Sequence, residues 1–225
     1  MMGAPNRSSA VMQQRKEAPD GLDYFPTPPW ATRALCEHLN QWGDISGDTV
    51  WEPACGEGHM ARPLGEYFAQ VVASDIHDYG FGTVHDFLSA GTLLDAPAPL
   101  DNPDWIITNP PFNKAAEFAL RAAGLAREGF ALLVRTAFLE GVTRHAELFS
   151  QHPPAWVLPF CERVPMVKGR VDPDAASATS YCWMIWLQHR SVSFNAAPAL
   201  AWISPCRKRL ERPEDYRLVP AGEVA

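Results

Sequence analysis

The sequence predicts an α/β fold with a mostly parallel seven-stranded sheet and helices on both faces. Short apolar, β-prone runs alternate with helical patterns through most of the 225 residues. Glycine and acidic residues follow several of these runs, and ligands bind at the carboxyl ends of strands in open α/β sheets. The predicted strands are 48–52, 69–74, one within 81–88, one around 106–107, 130–135, 155–158 and 179–187.

Composition limits the possible functions. The net charge of −7 argues against a surface that is basic all over, so any nucleic-acid contact has to be local. The five cysteines include no Cys-x-x-Cys pair, which indicates neither a disulfide framework nor a thiolate zinc site. With no signal peptide and no apolar run of membrane-spanning length, we expect a soluble cytoplasmic protein without a metal.

Three regions are expected along the chain. Residues 1–23 are polar and aperiodic, which is typical of a flexible arm. Residues 24–190 hold the strand and helix alternation and form the predicted catalytic domain. Residues 191–225 form a C-terminal extension, and its basic, then mixed, tail after Ser204 is expected to be peripheral.

The first helix is predicted at 29–41, after a rigid Tyr24-Phe-Pro-Thr-Pro-Pro-Trp30 segment. Thr27 is placed to cap this helix, and Pro28 suits its first position. A clamp against the sheet and a ligand-binding role both explain the segment.

A glycine loop follows the first predicted strand. Gly56 and Gly58 would allow close approach to a ligand, and a helix is predicted at 59–68. Asp75 lies 17 residues after Gly58, close to the spacing of about 20 expected for an acid that binds ribose hydroxyls. These features together indicate a nucleotide-type site.

The loop also matches the G-x-G-x-x-A pattern of dinucleotide sites, ending at Ala61. However, Glu52 and Glu57 would place carboxylates beside the turn. Negative charge opposes a pyrophosphate but suits an ammonium and a sulfonium, which favours S-adenosylmethionine. Further along, Asp86 followed by Phe87 could hold the amino group of an adenine, although an ordinary surface Asp is an equal alternative.

The most informative stretch is Asp104-Trp-Ile-Ile-Thr-Asn-Pro-Pro-Phe112, where a buried strand stops at two prolines. Asn109 offers a side-chain carbonyl, Pro110 a backbone carbonyl and Phe112 a flat face, so this stretch is suited to a planar amine such as a flipped nucleobase. A strand followed by a proline-rich turn with a core Phe is the alternative. Lys114, which opens a helix predicted at 114–127, could meet a phosphate or be simply exposed.

The stretch 161–176 is aperiodic and mixes basic with apolar residues. This composition suits contact with a nucleic-acid backbone through Arg163, Lys168 and Arg170, aided by a wedge or stacking residue, and a solvated loop is the alternative. The aromatics of 179–187 favour core packing over a base platform. A second basic cluster comprises Arg207, Lys208, Arg209 and Arg212.

With these residues in view, the chain from Tyr24 to Leu187 resembles the class I S-adenosylmethionine-dependent methyltransferases, and among them the enzymes that modify adenine in DNA. Asn109-Pro-Pro-Phe112 is similar to the family's catalytic tetrapeptide, and Glu52 to Gly58 to its cofactor loop. The resemblance implies a Rossmann-like fold, catalytic residues Asn109, Pro110, Pro111 and Phe112, and a cofactor site. That site would comprise Thr27, Glu52, Pro53, Ala54, Cys55, Gly56, Gly58, Asp75, Ile76, Asp86, Phe87 and Asn109.

The resemblance implies methyl transfer from S-adenosylmethionine to N6 of an adenine flipped out of duplex DNA, with S-adenosylhomocysteine as product. Compact enzymes of this kind are often encoded by phages and prophages. We expect no large recognition domain like that of restriction-linked relatives, and therefore a sequence specificity that is short or loose. Other planar amines, namely RNA adenine, cytosine N4 or a protein glutamine, fit the same tetrapeptide. A dinucleotide oxidoreductase and a catalytically silent nucleic-acid-binding module are the remaining alternatives.

Overall fold

A computed structural model describes residues 23–89, 101–175, 177–188 and 197–216. The predicted arm, apart from residue 23, therefore lies outside the described residues. The α/β prediction is confirmed, with strands in all seven predicted places. The strands are β1 Thr49–Glu52, β2 Gln70–Asp75, β3 Thr83–Val84, β4 Trp105–Thr108, β5 Gly129–Arg135, β6 Trp156–Pro159, β7 Tyr181–Leu187 and β8 Ala199–Leu200. The α-helices are α1 Pro29–Asn40, α2 Ala61–Leu64, α3 Ala115–Ala123, α4 Val142–Arg144 and α5 Arg207–Leu210.

The strands form one sheet in the order β3-β2-β1-β4-β5-β7-β6-β8. All neighbouring pairs are parallel except those of β7, which runs antiparallel to β5 and β6. The described chain thus has one strand more than the predicted seven, the two-residue β8 beside β6. Because β1, β2 and β4 are parallel, Glu52, Asp75 and Asn109 lie at the same edge of the sheet.

The sheet separates two apolar layers. One face of the sheet packs with α1 and carries Ile107, Leu133 and Trp183. The other face packs with α3 and carries Ile106 and the residues of β5 and β7 that alternate with Leu133 and Trp183. This alternation follows from the two-residue period of a strand. The aromatics of β7 are core residues, as predicted, with Trp183 fully buried.

Several predicted helix boundaries are wrong. The helix expected at 59–68 is α-helical only at Ala61–Leu64, and turns flank it on both sides. The helix expected at 114–127 ends at Ala123. Further along, α4 is followed by a π-helical turn at His145–Phe149. Gly129 opens β5, where an added Cβ would lie 2.4 Å from the Trp186 carbonyl oxygen.

The start of α1 also differs from the prediction. Pro28 is the N-cap and Pro29 the first helical residue, while Thr27 makes no capping hydrogen bond. The proline rings fix φ near the helical value and lack the N–H groups that a helix start would leave unpaired. The Thr27 hydroxyl is therefore available for another role.

The described part of the segment after Ser204, residues 205–216, is not peripheral, contrary to expectation. The Arg33 guanidinium, on the 3% exposed side chain in α1, pairs with Asp215 and Glu66 at 2.8 Å each. It also donates to the Leu210 carbonyl oxygen at 2.7 Å. These contacts hold the segment against α1. The second basic cluster is largely paired as well, since Arg207, Arg209 and Arg212 bind Glu211, Glu37 and Glu66.

Within the described residues, no helix is long and apolar enough to cross a membrane. No group of three His, Cys, Asp or Glu side chains there could hold a metal ion. All five cysteines are free thiols.

Candidate functional site

A cleft of about 420 Å³ opens at the carboxyl ends of β1, β2 and β4. The segment 23–27 forms one wall, and the start of α3 forms another. Most of the residues predicted for cofactor and acceptor binding line it. They are Thr27, Glu52, Pro53, Ala54, Cys55, Asp75, Ile76, Asp86, Phe87, Asn109, Pro111 and Lys114.

Three buried polar atoms of the cleft residues have no hydrogen-bond partner within the described structure: Thr27 Oγ1, Glu52 Oε2 and Asn109 Oδ1. Native proteins pair nearly all buried polar atoms, because an unpaired one costs about 1–3 kcal/mol. Asn109 Oδ1 is an acceptor only, and Glu52 Oε2 is one whenever its carboxyl group is ionised. The cleft therefore suits a ligand that brings hydrogen-bond donors.

Glu52 is the most deeply buried acid of the cleft, at 2% exposure. Burial raises the pKa of its carboxyl group well above the ordinary value, and the nearby Asp75 carboxylate adds to the rise, while a hydrogen bond from the Ala61 backbone opposes it. A cation beside Glu52 would offset both unfavourable effects.

Asp75 shapes the loop and faces the cleft. Its Oδ2 accepts the Gly56 N–H at 2.9 Å, and its Oδ1 accepts the His77 N–H at 3.0 Å. A carboxylate has about four acceptor positions, so both oxygens retain capacity for hydroxyl donors. Asp75 can therefore still accept hydrogen bonds from hydroxyl groups such as those of a ribose.

Gly56 and Gly58 do not line the cleft, contrary to the prediction that they allow close approach of a ligand. Their φ angles are +50° and +82°, and added Cβ atoms would lie 2.4 Å from the Tyr24 ring and 2.5 Å from the Phe81 ring. The glycines are therefore required by aromatic packing around the loop. Gly56 acts on the cleft through Tyr24, which lines it.

Of the two residues predicted to contact the adenine, Phe87 is buried and Asp86 is exposed. Phe87 is buried against Trp51 and Phe118, at centroid distances of 5.2 and 4.9 Å. Asp86 is exposed, and its Oδ1 accepts the Leu88 N–H at 2.9 Å. Ile76 is apolar yet 65% exposed, so the rim of the cleft offers an apolar surface to a flat ligand.

Asn109 is fixed in the cleft by one hydrogen bond, from its Nδ2 to the Phe25 carbonyl oxygen at 2.7 Å. This bond orients the amide so that Oδ1 remains available to an external donor. Pro111 lines the cleft, whereas Pro110 is buried outside its lining. The N–H of Phe112 donates to Asp23 at 2.8 Å, which ties the tetrapeptide to the segment before α1.

The ring of Phe112 faces a second recess of about 180 Å³, not the main cleft. The guanidinium of Arg135 lies over this ring at 3.9 Å. Asn109 and Phe112, predicted to grip one base together, therefore border two adjoining spaces.

The predicted substrate residues occupy different places. Lys114 lines the cleft, and its ammonium pairs with Glu117 at 2.9 Å. Arg163, Lys168 and Arg170 are exposed outside the cleft. Val167 and Arg170 pair across a tight turn whose Gly169 has φ +78°, and the Gly169 N–H donates to the Tyr24 carbonyl oxygen at 2.9 Å. The basic turn thus lies beside the cleft.

The three apolar residues 164–166 do not provide the exposed wedge or stacking residue that was predicted for this loop. Val164, Pro165 and Met166 are buried, and Met166 packs in the main core at 7% exposure. Arg163 bonds to Ser180 and to the Ala178 carbonyl oxygen, so it also stabilises the loop base.

Sequence reasoning missed four residues of the site: Tyr24, Tyr79, His59 and Arg135. The Tyr24 and Tyr79 rings pack at 4.7 Å across the mouth of the cleft. His59 also lines it; burial lowers the pKa of its imidazole, against the opposing effect of Glu57. An aromatic beside the Pro-rich segment was a signal for Tyr24, whereas nothing local distinguishes Arg135.

The fold was compared with known proteins. A proposed RNA methyltransferase from Pyrococcus horikoshii superposes with a TM-score of 0.55 at 16% identity, over 79% of this chain and 94% of that one. The modification subunit of a proposed type I restriction enzyme from Vibrio vulnificus superposes with a TM-score of 0.51 at 14% identity, over 90% of this chain. The chain has the Rossmann-like fold of class I methyltransferases.

The present chain spans only 51% of the Vibrio subunit. No protein-family model matches the chain, and no curated protein matches its sequence. At these identities the likeness concerns the fold, so the function is argued from the cleft.

Proposed function

We propose that the protein is a methyltransferase that uses S-adenosylmethionine and methylates N6 of an adenine flipped out of DNA. The unpaired Asn109 Oδ1, beside a cleft whose buried acceptors call for donor groups, carries the proposal. It is supported by the fold, in which ligands bind at the carboxyl ends of the strands.

The cleft residues fit this cofactor. Glu52 Oε2 can accept from an ammonium, Asp75 from the ribose hydroxyls and Asp86 from the adenine amino group. Glu52, Asp75 and Asp86 make this wall acidic, which disfavours the pyrophosphate of a dinucleotide. When bound, S-adenosylmethionine supplies a methyl group on a sulfonium sulfur and leaves as S-adenosylhomocysteine.

Asn109 would act on the acceptor amine. The N6 lone pair of adenine is conjugated into the ring, so the nitrogen is a weak nucleophile. We assign one of its hydrogens to Asn109 Oδ1, which faces the cleft, and the other to the carbonyl oxygen of Pro110, a residue outside the cleft lining in this structure. With both hydrogens accepted, the lone pair turns toward the methyl group. These hydrogen bonds strengthen as positive charge develops on the nitrogen in the transition state. The methylated nitrogen is cationic and acidic and loses its extra proton to water, so a dedicated general base is not required.

DNA would be held by the rim next to Tyr24. The turn that carries Lys168 and Arg170 is exposed there and can contact phosphates. The bulk of the surface is acidic on balance, so the contact is confined to this area.

Two measurements test the proposal. Calorimetry should show micromolar binding of S-adenosylmethionine and no binding of NAD. In separate reactions, the purified protein and labelled cofactor should then be incubated with duplex DNA, with RNA or with a glutamine peptide. Nucleoside mass spectrometry identifies the methylated base. N6-methyladenine in the DNA sample alone is the expected result. Methyl transfer only to RNA, to cytosine or to the peptide would show that the acceptor is that group and not adenine in DNA. The absence of cofactor binding would refute the whole proposal.

A further inference from the structure

The aromatic ring of the tetrapeptide is already covered. The Arg135 guanidinium carbon lies 3.9 Å from the Phe112 ring centroid. The rings of Phe25 and Tyr181 lie at 5.4 and 6.2 Å from it. A guanidinium at this distance over the ring makes a cation–π contact. An acceptor base therefore cannot stack on this face of Phe112 while Arg135 remains.

Of the three neighbours, Arg135 is the one able to leave. Tyr181 is buried in β7, and the Phe25 carbonyl oxygen holds Asn109. Arg135 is the exposed last residue of β5, on a long flexible stem. Within the described residues its side chain forms no ion pair, and it hydrogen-bonds to the neutral Tyr181 side chain. Its contact with Phe112 is therefore readily exchanged.

The other arginine of the recess is held more firmly. Arg144 donates to the Phe138 carbonyl oxygen at 2.7 Å and also to that of Glu140, and its guanidinium lies 4.3 Å over the Phe138 ring. Arg144 thus forms a fixed wall, whereas Arg135 covers the ring.

We infer that Arg135 occupies the stacking face of Phe112 until an acceptor base displaces it, and that the displaced guanidinium then binds a phosphate beside the extruded nucleotide. The inference rests on the proposed function. Guanidinium and base are both planar and use the same ring face, so they exclude one another. Once displaced, the guanidinium can bind a phosphate through two parallel hydrogen bonds. Arg135 is thus a positioning residue that exchanges one partner for another.

The test compares two ligands that separate these roles. With S-adenosylhomocysteine present, Arg135→Ala should bind adenosine about two- to fivefold more tightly, because no cation–π contact has to be broken. The same variant should bind duplex DNA about three- to tenfold more weakly, and the slope of log affinity against log salt should fall by about one. A purely structural role would not move the two affinities in opposite directions.

Two further variants make the test specific. Arg135→Lys keeps the charge but not the plane, so adenosine affinity should rise while the salt slope stays. Arg127→Ala removes an exposed arginine paired with Asp104 at the opposite edge of the sheet, and should change neither affinity.

Unchanged affinities in Arg135→Ala, or a joint fall with a lower melting temperature, would each overturn the inference. Failure of the proposed function would look different. The wild-type protein would then bind the cofactor but neither bind nor methylate DNA.

Discussion

At the scale of single residues, the amide of Asn109 is divided between two tasks. Its nitrogen bonds to Phe25 and its oxygen is left for the acceptor. We predict that Asn109→Ala lowers kcat by about 10²–10³, the range found when one group that stabilises transition-state charge is removed. Cofactor affinity should change little, because its proposed contacts lie mainly on β1 and β2. Radiolabelled methyl transfer and calorimetry measure the two effects.

Asn40→Ala serves as the matched control, since Asn40 lies at the end of α1 and bonds only locally, to the Ile45 N–H. Near-normal turnover in Asn109→Ala would remove Asn109 from the mechanism.

We predict that the Glu52 carboxyl group lowers the free energy of unfolding and strengthens cofactor binding. Its pKa is raised by burial, so the folded state binds more protons than the unfolded state above pH 4.5. The carboxyl group's contribution to the free energy of unfolding therefore falls as pH rises from about 4.5 toward the raised value. Glu52→Gln should remove this loss, and its melting temperature should exceed that of the wild type increasingly as pH rises from about 4.5 toward the raised pKa.

The same variant loses the charge offered to the ammonium group. Its affinity for S-adenosylmethionine should drop about tenfold, the effect of a lost charge-assisted hydrogen bond. Thermal denaturation across pH and calorimetry at pH 7.5 check both halves. A variant that is less stable and binds normally would contradict the assigned role.

At the scale of elements, the glycine loop between β1 and α2 depends on backbone conformation and on aromatic rings. Gly56→Ala places a side chain at φ +50° and 2.4 Å from the Tyr24 ring. We expect a loss of about 1–3 kcal/mol in stability and weaker cofactor binding, because the Tyr24 wall has to shift. Gly47→Ala is the control, since nothing lies within 4 Å of its added Cβ. Urea denaturation should separate the two variants, and equal stabilities would show that the loop is tolerant.

The basic turn after β6 has its own test. Replacing Lys168 and Arg170 with alanine should weaken DNA binding and reduce the salt slope by about two, one for each phosphate contact. Arg209→Ala and Arg212→Ala are matched controls, because these arginines carry the same charge but belong to α5 and the residues after it, not to the turn. Fluorescence anisotropy at several salt concentrations gives the slopes. A slope that does not change would place DNA elsewhere on the surface.

Sequence patterns predicted the strands well because short apolar runs ending in Gly, Pro or Asp have few alternatives. They also located Glu52, Asp75 and Asn109, since parallel strands bring their carboxyl ends to one edge. The directions of side chains were not predictable. The Cα of Gly56 packs against Tyr24, the Met166 side chain lies in the core, and the Arg135 guanidinium contacts Phe112. Each of these placements depends on contacts between residues distant in the chain.

At the scale of the whole molecule, the end of the described chain returns to its beginning. A basic, Pro-containing tail gives no periodic signal, so sequence alone indicated a peripheral segment. The structure instead buries the Asp215 side chain against Arg33 of α1, and both are 3% exposed. One ion pair thus joins residues 182 positions apart.

This pair leads to a prediction about global stability. Asp215→Ala would leave the buried Arg33 guanidinium with Glu66 and the Leu210 carbonyl oxygen as partners. Breaking one side of a buried pair costs about 3–5 kcal/mol, and the remaining contacts place the expected loss near the lower end, about 3 kcal/mol. Adding Arg33→Met should recover most of this loss, because an apolar side chain of similar length leaves no unpaired charge. Cofactor affinity should stay normal in the folded protein, since neither residue lines the cleft.

Equilibrium unfolding in urea measures these variants, with the exposed Asp174→Ala as a control that should match the wild type. If Asp215→Ala were also as stable as the wild type, the C-terminal segment would be as peripheral as its sequence indicates. If the double variant were the less stable of the two, the contribution of Arg33 would come from its other contacts, to Glu66 and Leu210, and not from the pair with Asp215.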